Sequence, residues 1–339
     1  MKAIQIIKPF DLEITDIEKP EQCAPDEVII RVVSGGICGS DIGIFNGTNS
    51  LATYPRIIGH EFGGYIEKTG TSADGLKTGM QVAVDPVVSC GTCYACRIGR
   101  HNVCSTLEVI GVHRDGGFRQ YVNVPAKNVH VFHKKMDDGL LCMVEPFSIG
   151  MEINNRAQIG KDDKVLIMGA GPIGICAMQV AKSRGAAVLI SDIVKARLQR
   201  ATAMGADAVV LSSEENLEKR VLDFTNHEGM PVIIDTACLP ATFEQSIQLA
   251  SPAGRVVVIG LKNKPSSITM ADITKKELTI VGSRLNCNCF DQVMEGFENG
   301  ALHPELVKTD EFRYLDAQAA FDKNINHPED VLKVVLRFD

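Results

Sequence analysis

The sequence has no tryptophan, and only 5 of its 339 residues are tyrosine. This scarcity slightly disfavours an aromatic platform for stacking sugars and says little else about chemistry. Positive charge is also in short supply: 35 Lys and Arg stand against 42 Asp and Glu, for a net charge of −7. Affinity for a nucleic-acid backbone comes mainly from Lys and Arg, so no nucleic-acid partner is expected.

Long hydrophobic runs are absent as well. The apolar stretch at 165–168 runs straight into a glycine-rich segment, so no membrane span is expected. Lys2 and Lys8 come too early for the apolar core of a signal peptide. These features predict a cytoplasmic protein without a membrane partner. A chain of 339 residues is long enough for two domains and for a large core without disulfides.

Two kinds of hydrophobic pattern divide the chain. Up to about residue 130, short strands alternate apolar and polar positions between Gly and Pro, which is typical of a β-rich domain. Further on, buried strands alternate with helices, which predicts βαβ units and a doubly wound parallel sheet in an α/β fold. The predicted strands of this part are 164–168, 187–191, 208–211, 231–235 and 254–260.

The last forty residues resemble the first part of the chain more than the second. They hold a helical pattern at 291–299 and a final strand at 331–338. We therefore expect one domain to cover residues 1–150 and 290–339, with a second domain at 151–289 inserted into it.

A glycine-rich turn follows the first strand of the second domain. Its sequence, Gly-Ala-Gly-Pro-Ile-Gly, fits the pattern G-x-G-x-x-G and opens a helix. In such a turn Gly169 bends the chain, Gly171 lets a pyrophosphate approach the backbone, and Gly174 lets the helix pack on the strand. The helix start, with Pro172 and Ile173, offers free N–H groups to an anion. A turn without a ligand is the alternative, but the flanking strand and helix favour dinucleotide binding.

An acidic residue, Asp192, ends the next strand, eighteen residues after Gly174. A carboxylate at this point holds the ribose hydroxyls of NAD and repels the 2′-phosphate of NADP. The pattern therefore favours NAD. Arg197 lies shortly after Asp192 and is a further candidate cofactor contact, which keeps NADP as an alternative.

Four of the eleven cysteines lie close together in a lobe at about 88–106. Cys90, Cys93, Cys96 and Cys104 form the spacing C-x2-C-x2-C-x7-C. Four thiolates on one short segment suit a closed tetrahedral zinc site that fastens a loop and performs no chemistry. An iron–sulfur cluster and disulfides or uncoordinated thiols are the alternatives.

Three separate segments carry further donor side chains. Cys38 lies in a glycine-rich loop, His60 and Glu61 follow Gly59, and Glu145 precedes a proline. Each is ambiguous alone, because such a cysteine is usually structural and an isolated histidine is usually a core or surface group.

Together these motifs resemble the zinc-containing medium-chain dehydrogenase/reductase family, over the whole chain. The resemblance is carried by the Cys38 loop, Gly59-His60-Glu61, the four-cysteine lobe, Gly116-Gly117-Phe118 with Tyr121, and the Gly169–Gly174 turn. Glutamate at position 145 resembles the sorbitol and threonine dehydrogenase branch. The stretches Asp85–Cys90 and Ser283–Asn286 are most similar to bacterial starvation-sensing-type and hexonate dehydrogenases.

The resemblance implies a GroES-like catalytic domain, a Rossmann domain that binds NAD, and two zinc ions per chain, one catalytic and one structural. It implies that Cys38, His60 and Glu145 hold the catalytic zinc, with Glu61 behind them or alternating as a ligand. Asp41 is implied to orient His60 through its other ring nitrogen.

The implied reaction is oxidation of an alcohol, with the hydride passing to the nicotinamide. Zinc lowers the pKa of the substrate hydroxyl, and Ser40 takes its proton toward solvent or the cofactor ribose. Relatives often carry a histidine where this chain has Gly43, so the proton's route stays open. His113 and Arg114 are candidates for substrate contact, Arg114 with a carboxylate. A solvated loop pair is the alternative.

The substrate expected from the resemblance is a small polyhydroxylated secondary alcohol, either a sugar acid such as a hexonate or a polyol. Oxidation of an amino alcohol, as in threonine dehydrogenases, and a non-catalytic NAD-sensing role are the alternatives. Relatives also suggest a homodimer or homotetramer, joined partly through an edge strand near 278–281.

Overall fold

A computed structural model describes residues 1–261 and 264–338. Its strands are Lys2–Lys8 (β1), Asp11–Asp16 (β2), Glu27–Ile37 (β3), Arg56–Ile57 (β4), Glu61–Thr69 (β5), Gln81–Val84 (β6), Val87–Val88 (β7), Glu108–Val109 (β8), Tyr121–Pro125 (β9), Val129–Val131 (β10), Lys164–Met168 (β11), Ala187–Asp192 (β12), Ala208–Leu211 (β13), Met230–Asp235 (β14), Ala250–Val258 (β15), Thr279–Gly282 (β16), Lys308–Arg313 (β17) and Lys333–Arg337 (β18). Its α-helices are Gly39–Phe45 (α1), Tyr94–Arg97 (α2), Val144–Ala157 (α3), Pro172–Ser183 (α4), Lys195–Ala203 (α5), Leu217–Phe224 (α6), Pro240–Leu249 (α7), Met270–Thr274 (α8), Phe290–Glu298 (α9) and Ala317–Asn326 (α10).

The chain divides into two compact units. The first comprises residues 1–146 and 286–300 and the described residues from 304 onward, and the second comprises 147–285 and 301–303. None of the helices in the described part of the chain is both long and apolar enough to cross a membrane.

The first unit is built around β3. The main sheet has the order β10-β6-β5-β3-β18-β17, and β9 also pairs with β3. Antiparallel partners pair with both edges of β3. β5 lies along one edge, while on the other edge β9 pairs with the first half of β3 and β18 pairs with its last residues. Ten of the eleven side chains of β3 are half-buried or buried. This strand therefore sets the register of β5, which begins with Glu61, and leads directly into Cys38.

The second unit is a parallel six-stranded sheet in the order β13-β12-β11-β14-β15-β16. Its central strands are buried, and helices cover them, as sheets built from βαβ units require. The core includes Leu166, Leu189, Val210, Ile233, Ile247 and Val256. The strand order reverses beside β11, and the crevice at the carboxyl ends of such strands is where ligands bind.

The predicted α/β class and parallel sheet are confirmed, although the first and last residues of some predicted strands differ. The strand predicted at 254–260 is β15, which begins at Ala250 and ends at Val258. The helix after the glycine-rich turn begins at Pro172, because proline is well suited to the first turn of a helix.

Candidate metal centres and dinucleotide site

A buried carboxylate, Asp41, joins the two loops that carry the first candidate ligands. Cys38 directly follows β3 and precedes α1, and its backbone N–H donates to Oδ2 of Asp41 at 2.9 Å. The backbone N–H of Gly59 donates to Oδ1 at 3.2 Å. Asp41 is fully buried, so both bonds are shielded from water. The carboxylate thereby fixes Cys38 and His60 relative to each other.

Cys38, His60 and Glu61 form the first cluster. One donor atom from each side chain lies within 4.8 Å of the other two, and His60 and Glu61 are buried. Burial disfavours the charged ring of His60, but Asp41 and Cys38 outweigh this, so its pKa is raised well above the usual value. A thiolate, an imidazole and a carboxylate at this separation suit zinc.

The expected contact between Asp41 and His60 is longer than a hydrogen bond. Nδ1 of His60 lies 3.7 Å from Oδ1 of Asp41 and, within the described residues, has no hydrogen-bond partner. Asp41 instead accepts two backbone N–H groups. Its influence on the imidazole is therefore electrostatic at this distance.

Glu145 lies outside that group of three, in the first turn of α3. It is 5% exposed, and burial raises the pKa of its carboxyl to about 8. His60 lowers this pKa and the neighbouring Glu61 raises it. A divalent cation would favour the charged carboxylate, so the electrostatics of Glu145 fit a ligand role.

The other residues expected near the substrate lie in different settings. Ser40 is half-buried in the first turn of α1. A side chain added at Gly43 would meet Thr48 and Asn49 at ordinary contact distance. His113 accepts the backbone N–H of Val109 through Nδ1 at 3.0 Å.

Arg114 lies 3.8 Å from Glu108 in an ion pair, and each side chain is about half exposed (48% and 50%). The pair is of the kind expected of a solvated loop.

The four cysteines of the lobe surround one point. The sulfur–sulfur distances are 3.5 Å for Cys93–Cys96 and Cys90–Cys104, 3.9 Å for Cys93–Cys104 and 4.0 Å for Cys90–Cys96. A tetrahedral ion with metal–sulfur bonds of about 2.3 Å holds its ligands about 3.8 Å apart. The distances fit one zinc ion, exclude disulfides, and leave no room for a multi-iron cluster.

Hydrogen bonds lower the pKa of two of the four thiols in this lobe. Donation from Thr92 lowers the pKa of Cys90 to about 5, and the backbone of Ser105 lowers that of Cys93 to about 7. Burial raises the pKa of Cys96 to about 11. Cys90 and Cys93 are thus biased toward the thiolate form that a metal ion binds.

All seven candidate cofactor residues line one cavity of about 380 Å³ in the second unit. They are Gly169, Gly171, Pro172, Ile173, Gly174, Asp192 and Arg197. A Cβ on Gly174 would lie 1.9 Å from the Gly169 carbonyl oxygen, whereas one on Gly171 would meet nothing within 4 Å. The absence of a side chain at Gly174 thus allows the helix to pack closely on the turn, and its absence at Gly171 leaves the backbone open to a ligand.

Asp192 also stabilises the turn itself. Its Oδ2 accepts the backbone N–H of Ala170 at 2.8 Å, and its Oδ1 accepts that of Val194 at 2.8 Å. Arg197 lies 3.9 Å from Oδ2. The carboxylate is therefore held at the cavity wall, where its charge would disfavour the 2′-phosphate of NADP.

Sequence reasoning missed cavity residues that follow β14. Thr236, Ala237 and Thr242 line the same cavity, and Oγ1 of Thr236 donates to the Met168 and Gly169 carbonyls at 2.9 and 3.1 Å. Their place in the chain could have identified them, because they follow β14, which lies beside β11, and the carboxyl ends of both strands face the ligand crevice.

The fold and these donor sets define a zinc-type alcohol or polyol dehydrogenase. Residues 24–134 match the family model of the alcohol dehydrogenase GroES-like domain, and residues 172–299 match that of the zinc-binding dehydrogenases. The chain belongs to the zinc-type medium-chain dehydrogenase family, as its motifs predicted.

Individual relatives cover nearly the whole chain. The starvation-sensing protein RspB of Escherichia coli K12 is 42% identical, over 100% of this chain and 99% of its own length. L-Galactonate-5-dehydrogenase of the same organism is 31% identical, over 92% of each chain. Sorbitol and L-threonine dehydrogenases are among the other relatives.

A crystal structure of a short chain alcohol dehydrogenase (rspB) from E. coli CFT073, complexed with cofactor NADH, superposes with a TM-score of 0.93. It is 40% identical and is matched over 100% of this chain and 99% of its own. These matches support the predicted cofactors, zinc and NAD.

The two donor sets predict separable metal sites. Purified protein is expected to hold about two zinc ions per chain. Cys38→Ser should remove one ion and Cys104→Ser the other, and the loss from the lobe should lower the melting temperature more, because the short lobe depends on its metal for its fold. Metal analysis and thermal unfolding check this. One zinc per chain, unaffected by Cys38→Ser, would contradict the first cluster as a metal site.

Asp192 predicts the choice of cofactor. Asp192→Ala and Asp192→Asn should both shift the ratio of NADP to NAD affinity by about tenfold or more toward NADP, because each removes the negative charge. Asn keeps one acceptor for the turn, so it should lose less NAD affinity than Ala. Fluorescence titration with both reduced cofactors measures the ratio, and an unchanged ratio in both variants would place Asp192 away from the ribose.

Proposed function

We propose that this protein oxidises a secondary hydroxyl of a small polyhydroxylated substrate, a sugar acid such as a hexonate or a polyol, to a ketone with NAD⁺. The observation that carries this proposal is the cluster of half-buried Cys38 with buried His60 and Glu61, whose charges act on nearby Glu145. A mixed thiolate, imidazole and carboxylate set leaves zinc a position for substrate, unlike four thiolates.

In this proposal the first unit is the catalytic domain, which includes the lobe at about 88–106, and the second unit binds NAD. The catalytic domain covers the predicted residues 1–150 and 290–339, and the NAD-binding domain covers 151–289. Cys38, His60 and Glu145 hold the catalytic zinc, and Cys90, Cys93, Cys96 and Cys104 hold the structural one. When bound, zinc supplies Lewis acidity toward the substrate oxygen, and NAD⁺ accepts the hydride.

The chain's own residues then orient groups and move the proton. Asp41 fixes the Cys38 and Gly59 backbones, and its charge lies 3.7 Å from His60. Ser40, in the first turn of α1, receives the hydroxyl proton. Gly43 offers no side chain for the next transfer, so the proton leaves Ser40 toward water or the cofactor ribose.

The substrate class draws its support from the relatives and from the polarity of the site. L-Galactonate-5-dehydrogenase and sorbitol dehydrogenase are similar along nearly the whole chain. Buried Asp41, Glu61 and Glu145 make the cluster polar and charged, which suits a polyhydroxylated molecule better than a simple alkanol.

The protein is a homodimer or homotetramer in this proposal, joined through β16. This strand is the outer strand of the parallel sheet, with β15 as its neighbour in the described residues. Such an edge presents unpaired backbone groups to a second copy of the chain. Sedimentation of the native protein and of an Ile280→Pro variant tests this, and a monomeric native protein would contradict it.

A substrate screen tests the activity. Sugar acids and polyols, with L-threonine as comparison, are offered with NAD⁺ while NADH absorbance is followed. Turnover of at least one hexonate or polyol is expected. Turnover of L-threonine alone would favour amino-alcohol oxidation, and no turnover by fully zinc-loaded protein would contradict the proposal.

A substitution at Glu145 tests whether this residue is a ligand of the catalytic zinc. Glu145→Ala should lower kcat/KM by at least about 100-fold, because a ligand contributes no less than the groups that orient it. NADH affinity, measured by fluorescence, should be unchanged because the cofactor cavity lies in the second unit. Near-normal turnover in this variant would remove Glu145 from the metal site.

A further inference from the structure

A second cavity, of about 640 Å³, lies in the first unit. Among the described residues that line it, none is a candidate metal ligand. One wall is the segment between β2 and β3, with Glu18, Lys19 and Glu21, and the other is β9 with the residues just before it, which contribute Asn123 and Arg119. Its volume lies within the range of small-molecule sites, about 300–1,000 Å³.

The guanidinium of Arg119 has no partner within residues 1–261 and 264–338. Its Nε is enclosed by protein and has no hydrogen-bond acceptor. Nη1 and Nη2 also have no acceptor there, but they are not enclosed, so they are open to the cavity that the residue lines. Burial lowers the pKa of Arg119, and Asp115 opposes this. Because arginine stays charged in proteins, an uncompensated positive charge faces the cavity.

The other positive charges around the cavity and the acidic group that acts on the arginine are already engaged. Nζ of Lys19 lies 3.1 Å from Oε1 of Glu67. The amino group of Met1 donates to the Ile17 carbonyl at 2.7 Å. The carboxylate of Asp115 forms an ion pair with another arginine at 3.0 Å. A partly desolvated cation without a counterion is costly, so the structure favours an anion from outside the chain.

The backbone fixes the direction of the arginine side chain. Arg119 pairs with Ala3 of β1 in an antiparallel bridge. The preceding side chain, Phe118, is fully buried, and a Cβ at Gly59 would lie 2.1 Å from its ring. Neighbouring side chains of an extended segment point to opposite sides, so Arg119 points away from the loop that carries His60. The cavity is therefore separate from the candidate metal cluster.

The charges of the walls indicate the class of ligand. Nη1 and Nη2 of Arg119 form a fork that matches the two oxygens of a carboxylate. Glu18 and Glu21 are exposed at the opposite wall, where they would repel a dianion and accept hydrogen bonds from hydroxyl or ammonium groups. Nδ2 of Asn123 donates to the Gln22 carbonyl at 3.1 Å, which holds the two walls together.

We infer that this cavity is a binding site for a small monocarboxylate that carries hydroxyl or ammonium groups, with Arg119 as the anchor of its carboxylate. Hydroxy acids and amino acids share this chemistry. The site needs neither zinc nor NAD, so the inference is independent of the proposed function.

A local fluorophore can report binding, because the chain has no tryptophan. Tyr121→Trp places one on β9 between Arg119 and Asn123. D-Gluconate and L-serine are the probes, offered to the full-length, zinc-loaded protein. D-Sorbitol lacks the carboxylate, and inorganic phosphate is the test for an anion of any kind. A saturable change is expected with at least one of the two carboxylates and none with sorbitol. Calorimetry on the wild-type protein should give the same affinity.

Substitutions at position 119 identify the anchor. Arg119→Met keeps the aliphatic stem and should weaken binding at least about tenfold, while Arg119→Lys should lie between, because it keeps the charge and loses the fork. Arg313→Met removes an exposed arginine on β17 and should leave the affinity unchanged, as should Cys38→Ser. The melting temperature of Arg119→Met should be no lower than that of wild type, because its guanidinium has no partner to lose.

Chemical modification measures the same contact without a substitution. Phenylglyoxal reacts with arginine side chains, and peptide mass spectrometry follows each one. The carboxylate that binds should slow the modification of Arg119 and leave that of Arg313 unchanged. This result decides the question if Arg119→Met does not fold.

The outcomes separate this site from the proposed function. Binding of gluconate alone assigns the site to hydroxy acids, and binding of serine alone assigns it to amino acids. No saturable response to either at about 10 mM, or equal affinity in Arg119→Met, would overturn the inference. Phosphate binding as tight as that of the carboxylates would mean an adventitious ion only and would overturn it too. Absence of turnover contradicts the proposed function alone, because Cys38→Ser should still bind the carboxylate.

Discussion

The register of β3 against its two neighbours sets the chemistry of the first unit. β3 ends one residue before Cys38, β5 begins with Glu61 opposite Gly36, and β18 brings Val334 opposite Ile37. Because side chains alternate between faces of a sheet, a slip of one residue would turn Glu61 away and separate it from its buried ion-pair partner Lys333. The ligand cluster is thus a consequence of backbone pairing between segments far apart in sequence.

The same pairing concentrates negative charge that the fold does not neutralise alone. Asp41, Glu61 and Glu145 are all buried, and Lys333 is the buried cation that pairs with one of them. Burial, with Glu61 nearby, raises the pKa of Glu145 to about 8. A cation that binds the folded chain relieves this cost, so metal affinity and the stability of the cluster are linked.

The sequence predicted best what is local. The turn at Gly169–Gly174 and the four cysteines are short patterns whose geometry follows from spacing, and their residues meet as expected. The meeting of Cys38 with His60 and Glu61 needed the family resemblance, because spacing does not show which distant segments meet, and the ligand role of Glu145 stays a prediction. Lys333 was missed, since a lysine in an apolar terminal strand gives no sign of a buried partner. The Asp41–His60 contact was anticipated in kind, but the carboxylate oxygens are taken up by two backbone N–H groups.

The two metal centres differ in charge as well as in place. Four thiolates overcompensate a divalent ion, so the lobe site is closed both sterically and electrostatically and suits only a structural role. In the proposed catalytic site one thiolate and one carboxylate would only balance the ion, and the remaining attraction for a polarisable oxygen is what an alcohol oxidation needs.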